Sequence, residues 1–338
     1  MIRRPTPALF LGIEGGASRT TAVLMDAKGH ILKRTEGGPS NLRLTKNTEI
    51  LRLWKQFQKE LSTSKFSQPT AVGAFLAGCR THVDKAHVRR LLQAVWPHAR
   101  YVVGNDTMSA FAAALGENDG IVLICGTGSI VRARRGETTV QIGGWGHVGG
   151  DRGSGYWMGR ELLRSIFCSH DEKSAIDPLT QSVLAFLGLN KLEELVQWSL
   201  EAAKDEVASL TRVLFRYVRH PACRHILQEA VEILAADVAL AAWKVGFPSS
   251  DTSSLINVAL NPGLAKYQPL FRRRLIEAIQ QKIPETHIFL SETEGAVGAA
   301  MLAASAARVP SSEFKVKFYV PQSAIRNPNC PPATFPKL

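Results

Sequence analysis

The alternation of apolar and polar positions divides the chain into two halves that read alike. In the first, the apolar run Leu9, Phe10, Leu11, Ile13 predicts a strand entering the turn Glu14-Gly15-Gly16-Ala17-Ser18-Arg19. A second β-rich run, Thr20 to Met25, follows, then the turn Asp26-Ala27-Lys28-Gly29 and a third short strand. Ile50, Leu53, Trp54, Phe57 and Leu61 share one helical face and predict a helix from Asn47 to Leu61. Ala71 to Leu76 reads as a buried strand, and Val83 to Val95 as a helix closed by Trp96-Pro97. A short strand, Tyr101 to Val103, delivers Asn105-Asp106, and a small-residue helix leaves over Thr107 to Leu115.

The second half repeats this order. Ile121 to Ile124 runs into Gly126-Thr127-Gly128-Ser129, and three strands span Ile121 to Ile142. Helical patterns then occupy Ser154–Phe167, Lys191–Leu200, Ala208–Arg219 and His225–Val245. A strand at Leu255–Leu260, a helix after Pro269, a strand at His287–Leu290 and a last helix at Gly295–Ala307 complete it. Each half reads βββαβαβα, so the pattern predicts an internally duplicated α/β unit, the second copy carrying a helical insertion. The expected division is residues 1–117, 118–309 and a proline-rich irregular tail, 310–338, with a ligand cleft between the facing edges of the lobes.

Composition narrows the class. A chain of 338 residues, 45% hydrophobic and 21% charged, suits two ordinary globular domains. The net charge of +12 raises the question of nucleic acid, but the basic residues are dispersed. The densest runs, Arg272-Arg273-Arg274 and Arg132/Arg134/Arg135, lack interleaved aromatics, so no nucleic-acid partner is expected. Cys79, Cys125, Cys168, Cys223 and Cys330 are scattered, which fits a reducing cytoplasm and argues against an iron–sulfur or zinc site. The apolar stretch behind Met1-Ile2-Arg3-Arg4 is broken by Pro5, Pro7 and Glu14, too short for an export signal. Glu229, Glu232, Asp237 and Lys244 interrupt His225–Phe247, which reads as a buried helix with no membrane role.

Three constellations carry candidate chemistry. The turn Glu14 to Arg19 offers an acid for a hydrated cation, glycines for close backbone approach, a hydroxyl and a guanidinium, the parts a nucleotide phosphate site needs. Gly126-Thr127-Gly128-Ser129 occupies the equivalent place in the second half, although either turn alone also fits an ordinary hairpin. Asp106, at a strand end and a helix start, reads as a helix cap or as a general base. The loop Gly143 to Trp157 combines seven glycines with Trp145, Trp157 and Asp151, the chemistry of a sugar site or of a structural glycine loop. His147 reads as structural.

Together, Glu14-Gly-Gly-Ala-Ser-Arg, Asn41, Asn105-Asp106, Gly126-Thr-Gly-Ser and Gly143-Gly-Trp-Gly-His…Gly150-Asp151…Gly153-Ser154-Gly155-Tyr-Trp resemble the N-acetylglucosamine kinase family. That family lies in the BadF/BadG/BcrA/BcrD group of the actin/hexokinase/Hsp70-like ATPases, and the resemblance runs from about residue 9 to 308. It implies a two-lobed actin-like α/β fold of ribonuclease H-like units and a cytoplasmic, ATP- and Mg²⁺-dependent kinase acting on the C6 hydroxyl of a hexosamine. Asp106 would be the base. Asn41, Asp106, Ser129, Gly144, Trp145 and Asp151 would line the sugar. Gly15, Gly16, Ser18, Arg19, Gly126, Thr127, Gly128 and Gly263 would hold ATP, and Glu14 would reach the metal through water.

Three positions depart from the family pattern: Ala17-Ser18 for Gly-Thr, Arg152 for a glutamate after the aspartate, and Asn261-Pro262-Gly263 for a Gly-Gly turn. They leave open the preferred hexosamine (N-acetylglucosamine, glucosamine or N-acetylmuramic acid), the nucleotide, and a non-catalytic sugar-sensing role. Homodimerisation is open as well. An iron–sulfur dehydratase activator is disfavoured by the cysteine spacing.

Overall fold

The computed structural model describes residues 8–17, 19–62, 68–173, 177–247 and 255–307. Ser18, the first residues, Cys330 and the proline-rich tail lie outside them. Two compact units emerge: one holds the chain up to Asn118 and takes it up again at Ser291, and the other holds Asp119 to Leu290.

The first unit contains β1 (Leu9–Gly15), β2 (Thr20–Asp26), β3 (Ile31–Gly37), α1 (Asn47–Leu61), β4 (Ala71–Leu76), α2 (His82–Val95), β5 (Arg100–Gly104) and α3 (Asp106–Leu115). In the second unit follow β6 (Gly120–Cys125), β7 (Ser129–Arg135), β8 (Thr138–Gly143), α4 (Gly155–Lys173), α5 (Pro178–Leu187), α6 (Leu192–Glu201), α7 (Lys204–Ser209), α8 (Thr211–Arg216) and α9 (Pro221–Lys244). That unit closes with β9 (Ile256–Leu260), α10 (Leu264–Tyr267), α11 (Pro269–Lys282) and β10 (Thr286–Leu290), and α12 (Gly295–Ala306) then joins the first.

The duplication is visible in the sheets. Their orders, β3-β2-β1-β4-β5 and β8-β7-β6-β9-β10, are the same. In both, the first three strands are antiparallel and the last two run parallel to the first. β1 is apolar from Leu9 to Ile13 because it is covered on both faces. Leu9, Leu11 and Ile13 meet Trp54 and Phe57 of α1 and Leu92 of α2, while Phe10 turns to Ala296 and Ala300 of α12. Thr81 and Asp84 form a capping box that starts α2.

The placement of α12 differs from the expected division, which put this helix in the C-terminal lobe. Its sequence, Gly-Ala-Val-Gly-Ala-Ala-Met-Leu-Ala-Ala-Ser-Ala, is small and apolar on nearly every face, and it is buried on nearly every face. Glycines bring its backbone into contact with its neighbours. A Cβ on Gly12 of β1 would overlap the Ala296 carbonyl, one on Gly73 of β4 the Ala299 carbonyl, and one on Gly298 the Ser109 carbonyl of α3. Elsewhere the single helix expected over Ala208–Arg219 is the pair α7 and α8, and α5, capped by Asp177 with Pro178 behind it, was not foreseen. Among the described residues no helix is long and apolar enough to cross a membrane.

Gly298 gives a test with a sign. In an open helix Gly→Ala stabilises by up to about 1 kcal/mol. Here the added methyl has no space, so Gly298→Ala is expected to destabilise by about 1–3 kcal/mol in urea unfolding. Gly38→Ala, whose Cβ would meet nothing within 4 Å, should change stability little. A stabilised Gly298→Ala variant would refute the packing account.

Candidate active site

In the first unit, the candidate residues gather at the carboxyl ends of the parallel strands, where α/β sheets place ligands. Glu14 and Gly15 end β1. The Asn41 loop is tied to the end of β4, since Leu42 N–H donates to the Ala77 carbonyl and Ala77 N–H to that of Gly15. Asp106 opens α3 directly after β5.

The local chemistry separates two roles at the start of α3. Asn105 is the cap: its Oδ1 accepts from Met108 N–H at 3.3 Å and from the Thr107 hydroxyl at 2.6 Å. Asp106 is therefore spared capping duty. Burial raises its pKa, opposed by its own and Thr107's backbone N–H groups and by the Arg80 charge, which leaves a more basic carboxylate than one in water.

Glu14 has a neighbouring environment. Burial pushes its carboxyl up to about 7, and the Asp106 charge adds to this, while the Ser109 hydroxyl (3.3 Å from Oε1) and Arg19 act in the other direction. Gly295, at the start of α12, leaves the room that this carboxylate fills. Arg19 is exposed, 3.7 Å from Glu36. Asn41 Oδ1 accepts the Arg43 N–H at 2.9 Å, so part of its side chain shapes its own loop.

The two glycine turns are β-hairpin turns, closed by the pairs Gly15↔Thr20 and Cys125↔Ser129. Their glycines have different reasons. Gly15 lies against Ser40 Oγ, and a Cβ on Gly128 would stand 2.6 Å from Asp151 Oδ1. Gly16 and Gly126 have no positive φ, and among the described residues a Cβ on Gly16 would approach only the Arg19 carbonyl, at 3.6 Å, and one on Gly126 nothing within 4 Å. Internal packing does not require these two to be glycine.

In the second unit the structure brings Gly126, Thr127, Gly128 and Gly263 together. Gly263 packs on the Cys125 carbonyl, and its Cβ position is 3.5 Å from Gly126 Cα. Ser129, Gly144, Trp145 and Asp151 adjoin this turn. Gly144 N–H bonds the Ser129 carbonyl at 3.2 Å, and Ser129 N–H donates to Asp151 Oδ1 at 3.2 Å. Gly143, Gly144, Gly146 and Gly153 take left-handed φ values of 70–87°, so turn geometry explains most glycines of this loop. Trp145 is 73% exposed. His147 packs edge-on against Tyr156, in keeping with a structural role.

Arg152 is exposed, its carbonyl accepts the Ser129 hydroxyl at 2.6 Å, and its charge acts on Asp237 of α9. Sequence reasoning missed Lys204, whose Nζ is 2.6 Å from Asp151 Oδ2. Nothing in its local sequence marks it, because the contact joins a helix of the insertion to a distant loop.

Known proteins resemble this chain in sequence and in fold. The chain is 30% identical over 237 residues to the N-acetylmuramic acid/N-acetylglucosamine kinase of Clostridium acetobutylicum, covering 68% of this chain and 77% of that one. It is 26% identical over 313 residues to the N-acetyl-D-glucosamine kinase of Dictyostelium discoideum, covering 87% and 97%. The fold is shared with a crystallised candidate N-acetylglucosamine kinase from Chromobacterium violaceum, at TM-score 0.68 and 24% identity, covering 89% of this chain and all of that one. The family model for the BadF/BadG/BcrA/BcrD ATPases matches residues 11–303, a span that includes both hairpin turns and, apart from the start of β1 and the end of α12, both sheets and that helix, and the chain belongs to that family.

Proposed function

We propose that this protein is an ATP-dependent amino-sugar kinase that phosphorylates the C6 hydroxyl of N-acetylglucosamine or a close hexosamine. The observation that carries the nucleotide part is the pair Gly16 and Gly126, one in each duplicated hairpin turn. Internal packing leaves both without a reason to be glycine, and close approach of a polyphosphate to the backbone supplies one. The named relatives support the sugar part.

The residues fit a cation carried by the nucleotide better than one caged by protein. Among the described residues no three His, Cys, Asp or Glu side chains form a metal cluster, and Glu14 is a single carboxylate beside the first turn, suited to holding a hydrated ion through water. Bound ATP with Mg²⁺ supplies the phosphoryl group and offsets its charge. The chain's own part is positioning and proton transfer. Asp106 accepts the proton of the acceptor hydroxyl. Gly15, Gly16, Gly126 and Gly128 present backbone to the phosphates, with Thr127, Arg19 and Ser18 as hydroxyl and cationic donors, and Gly263 flanks the second turn. Asn41, Ser129, Gly144 and Asp151 supply polar groups to the sugar, and the exposed face of Trp145 offers a flat apolar surface to its ring. Arg152 is exposed and its charge acts on Asp237, so it is given no role toward an acidic acceptor.

Asp106→Asn keeps the shape and removes the base. Turnover in a coupled ADP-release assay should fall by roughly 10²–10⁴ while the sugar KM changes little. Wild-type turnover in this variant would remove Asp106 from the mechanism. The same assay run over N-acetylglucosamine, glucosamine and N-acetylmuramic acid identifies the acceptor, and ADP release with none of them would refute the kinase reading.

Gly126→Val tests the cradle. A Cβ on Gly126 would meet nothing within 4 Å among the described residues, so the melting temperature should hold. The KM for ATP is expected to rise about tenfold or more, a loss of about 1.4 kcal/mol, with the sugar KM moving less than about twofold. Equal changes in both constants would count against a phosphate role for this turn.

A further inference from the structure

Asp151 is held in an unusual way. Among the described residues it is the non-glycine residue with a left-handed φ, 51°, and it is only 5% exposed. A carboxylate so enclosed is costly unless its oxygens are matched. Oδ1 accepts from Ser129 N–H at 3.2 Å, and Oδ2 meets Lys204 Nζ at 2.6 Å. The Asp151 carbonyl also accepts Ser154 N–H at 3.2 Å, closing the turn.

Lys204 reaches this loop from α7, in the insertion that interrupts the duplicated pattern. The helix is docked on α4 through Gly159, where any side chain would overlap the Val207 carbonyl. Gly128 makes room on the other side: a Cβ there would be 2.6 Å from Asp151 Oδ1 and 3.0 Å from Lys204 Nζ. The insertion, the hairpin turn and the glycine loop therefore meet at one ion pair.

We infer that Lys204 is a positioning residue for the sugar, its ammonium locking Asp151 in the left-handed turn that shapes the Gly143–Gly155 loop. The inference rests on the proposed function, in which Asp151 lines the sugar. The phosphate turn also has backbone bonds that bypass this pair. Gly126 N–H bonds the Gly128 carbonyl, and the Gly126 carbonyl accepts Gly155 N–H at 2.8 Å, so the turn keeps its shape when Lys204 is neutral.

The test compares Lys204→Met, Lys204→Gln, Lys204→Arg and Asp151→Asn in the full chain, by steady-state kinetics and by calorimetric titration with N-acetylglucosamine. Lys204→Met and Lys204→Gln should raise the sugar KM and Kd about tenfold with the ATP KM within about twofold, and Lys204→Arg should restore most of the loss. Asp151→Asn should raise the sugar KM at least as much, and adding Lys204→Met to it should cost little more, because the two residues act as a unit. A rise in both KM values together with a lower melting temperature would make Lys204 a structural residue and overturn the inference. So would an unchanged sugar KM in both neutral variants while Asp151→Asn raises it. If Asp151→Asn leaves the sugar KM unchanged, the assignment of Asp151 falls, and the positioning role falls with it.

Discussion

The contact of α12 with β1, β4 and α3, made backbone to backbone through Gly12, Gly73 and Gly298, is the constraint on which the first unit depends. Close packing of this kind leaves the helix no freedom to slide, since each glycine faces a carbonyl that a methyl would overlap. It fixes the two carboxylates that matter. Glu14 stands at the end of β1 in the space that Gly295 leaves, and Asp106 begins the helix that Gly298 touches. The helix also meets the sheet at its N-terminal side through the bidentate pair of Arg34 with Glu294, at 2.8 Å for both contacts. That pair is half-exposed and contributes modestly, so the burial of Phe10, Val23, Met25 and Ala71 under α12 does most to hold the helix.

The second unit solves a related problem with charge. Its glycine loop takes left-handed turns at four glycines and at Asp151, and it leans on α9, where Gly153 has no room for a side chain beside the Ala230 carbonyl. The enclosed aspartate is matched by a lysine and a backbone N–H, an arrangement that is stable only while all members are present. One unit is therefore positioned by the absence of side chains, the other by an ion pair set against a glycine.

Much of this was legible in the residues. The 3.6-residue spacing of Ile50, Leu53, Trp54, Phe57 and Leu61 gives α1 its boundaries, and the repeated strand and glycine turn reveals the duplicated sheet. The partner of α12 was not legible. A helix apolar on all sides announces burial and says nothing of the surface it will meet, because no face is distinguished. The sequence could not divide the roles of Asn105 and Asp106, since both suit a helix start and only the geometry shows which side chain accepts from Met108. Nor could it divide the glycines: Gly15 and Gly128 are required by neighbours brought near through the fold, while Gly16 and Gly126 are not. Lys204 was hidden for the same reason, its partner lying in another segment.

The return of α12 to the first unit has a consequence for synthesis. The helix follows α3 after about 180 residues of intervening chain, which a ribosome making about 5–20 residues per second needs some 10–40 s to produce. Through that interval the nascent first unit has its strands and α1, α2 and α3 but lacks the cover for Phe10, Val23, Met25 and Ala71. An apolar sheet face of that kind is a target for chaperones and for misassociation, whereas the described residues of the second unit form one continuous stretch that ends with β10. The half bearing the proposed base is thus begun first and finished last.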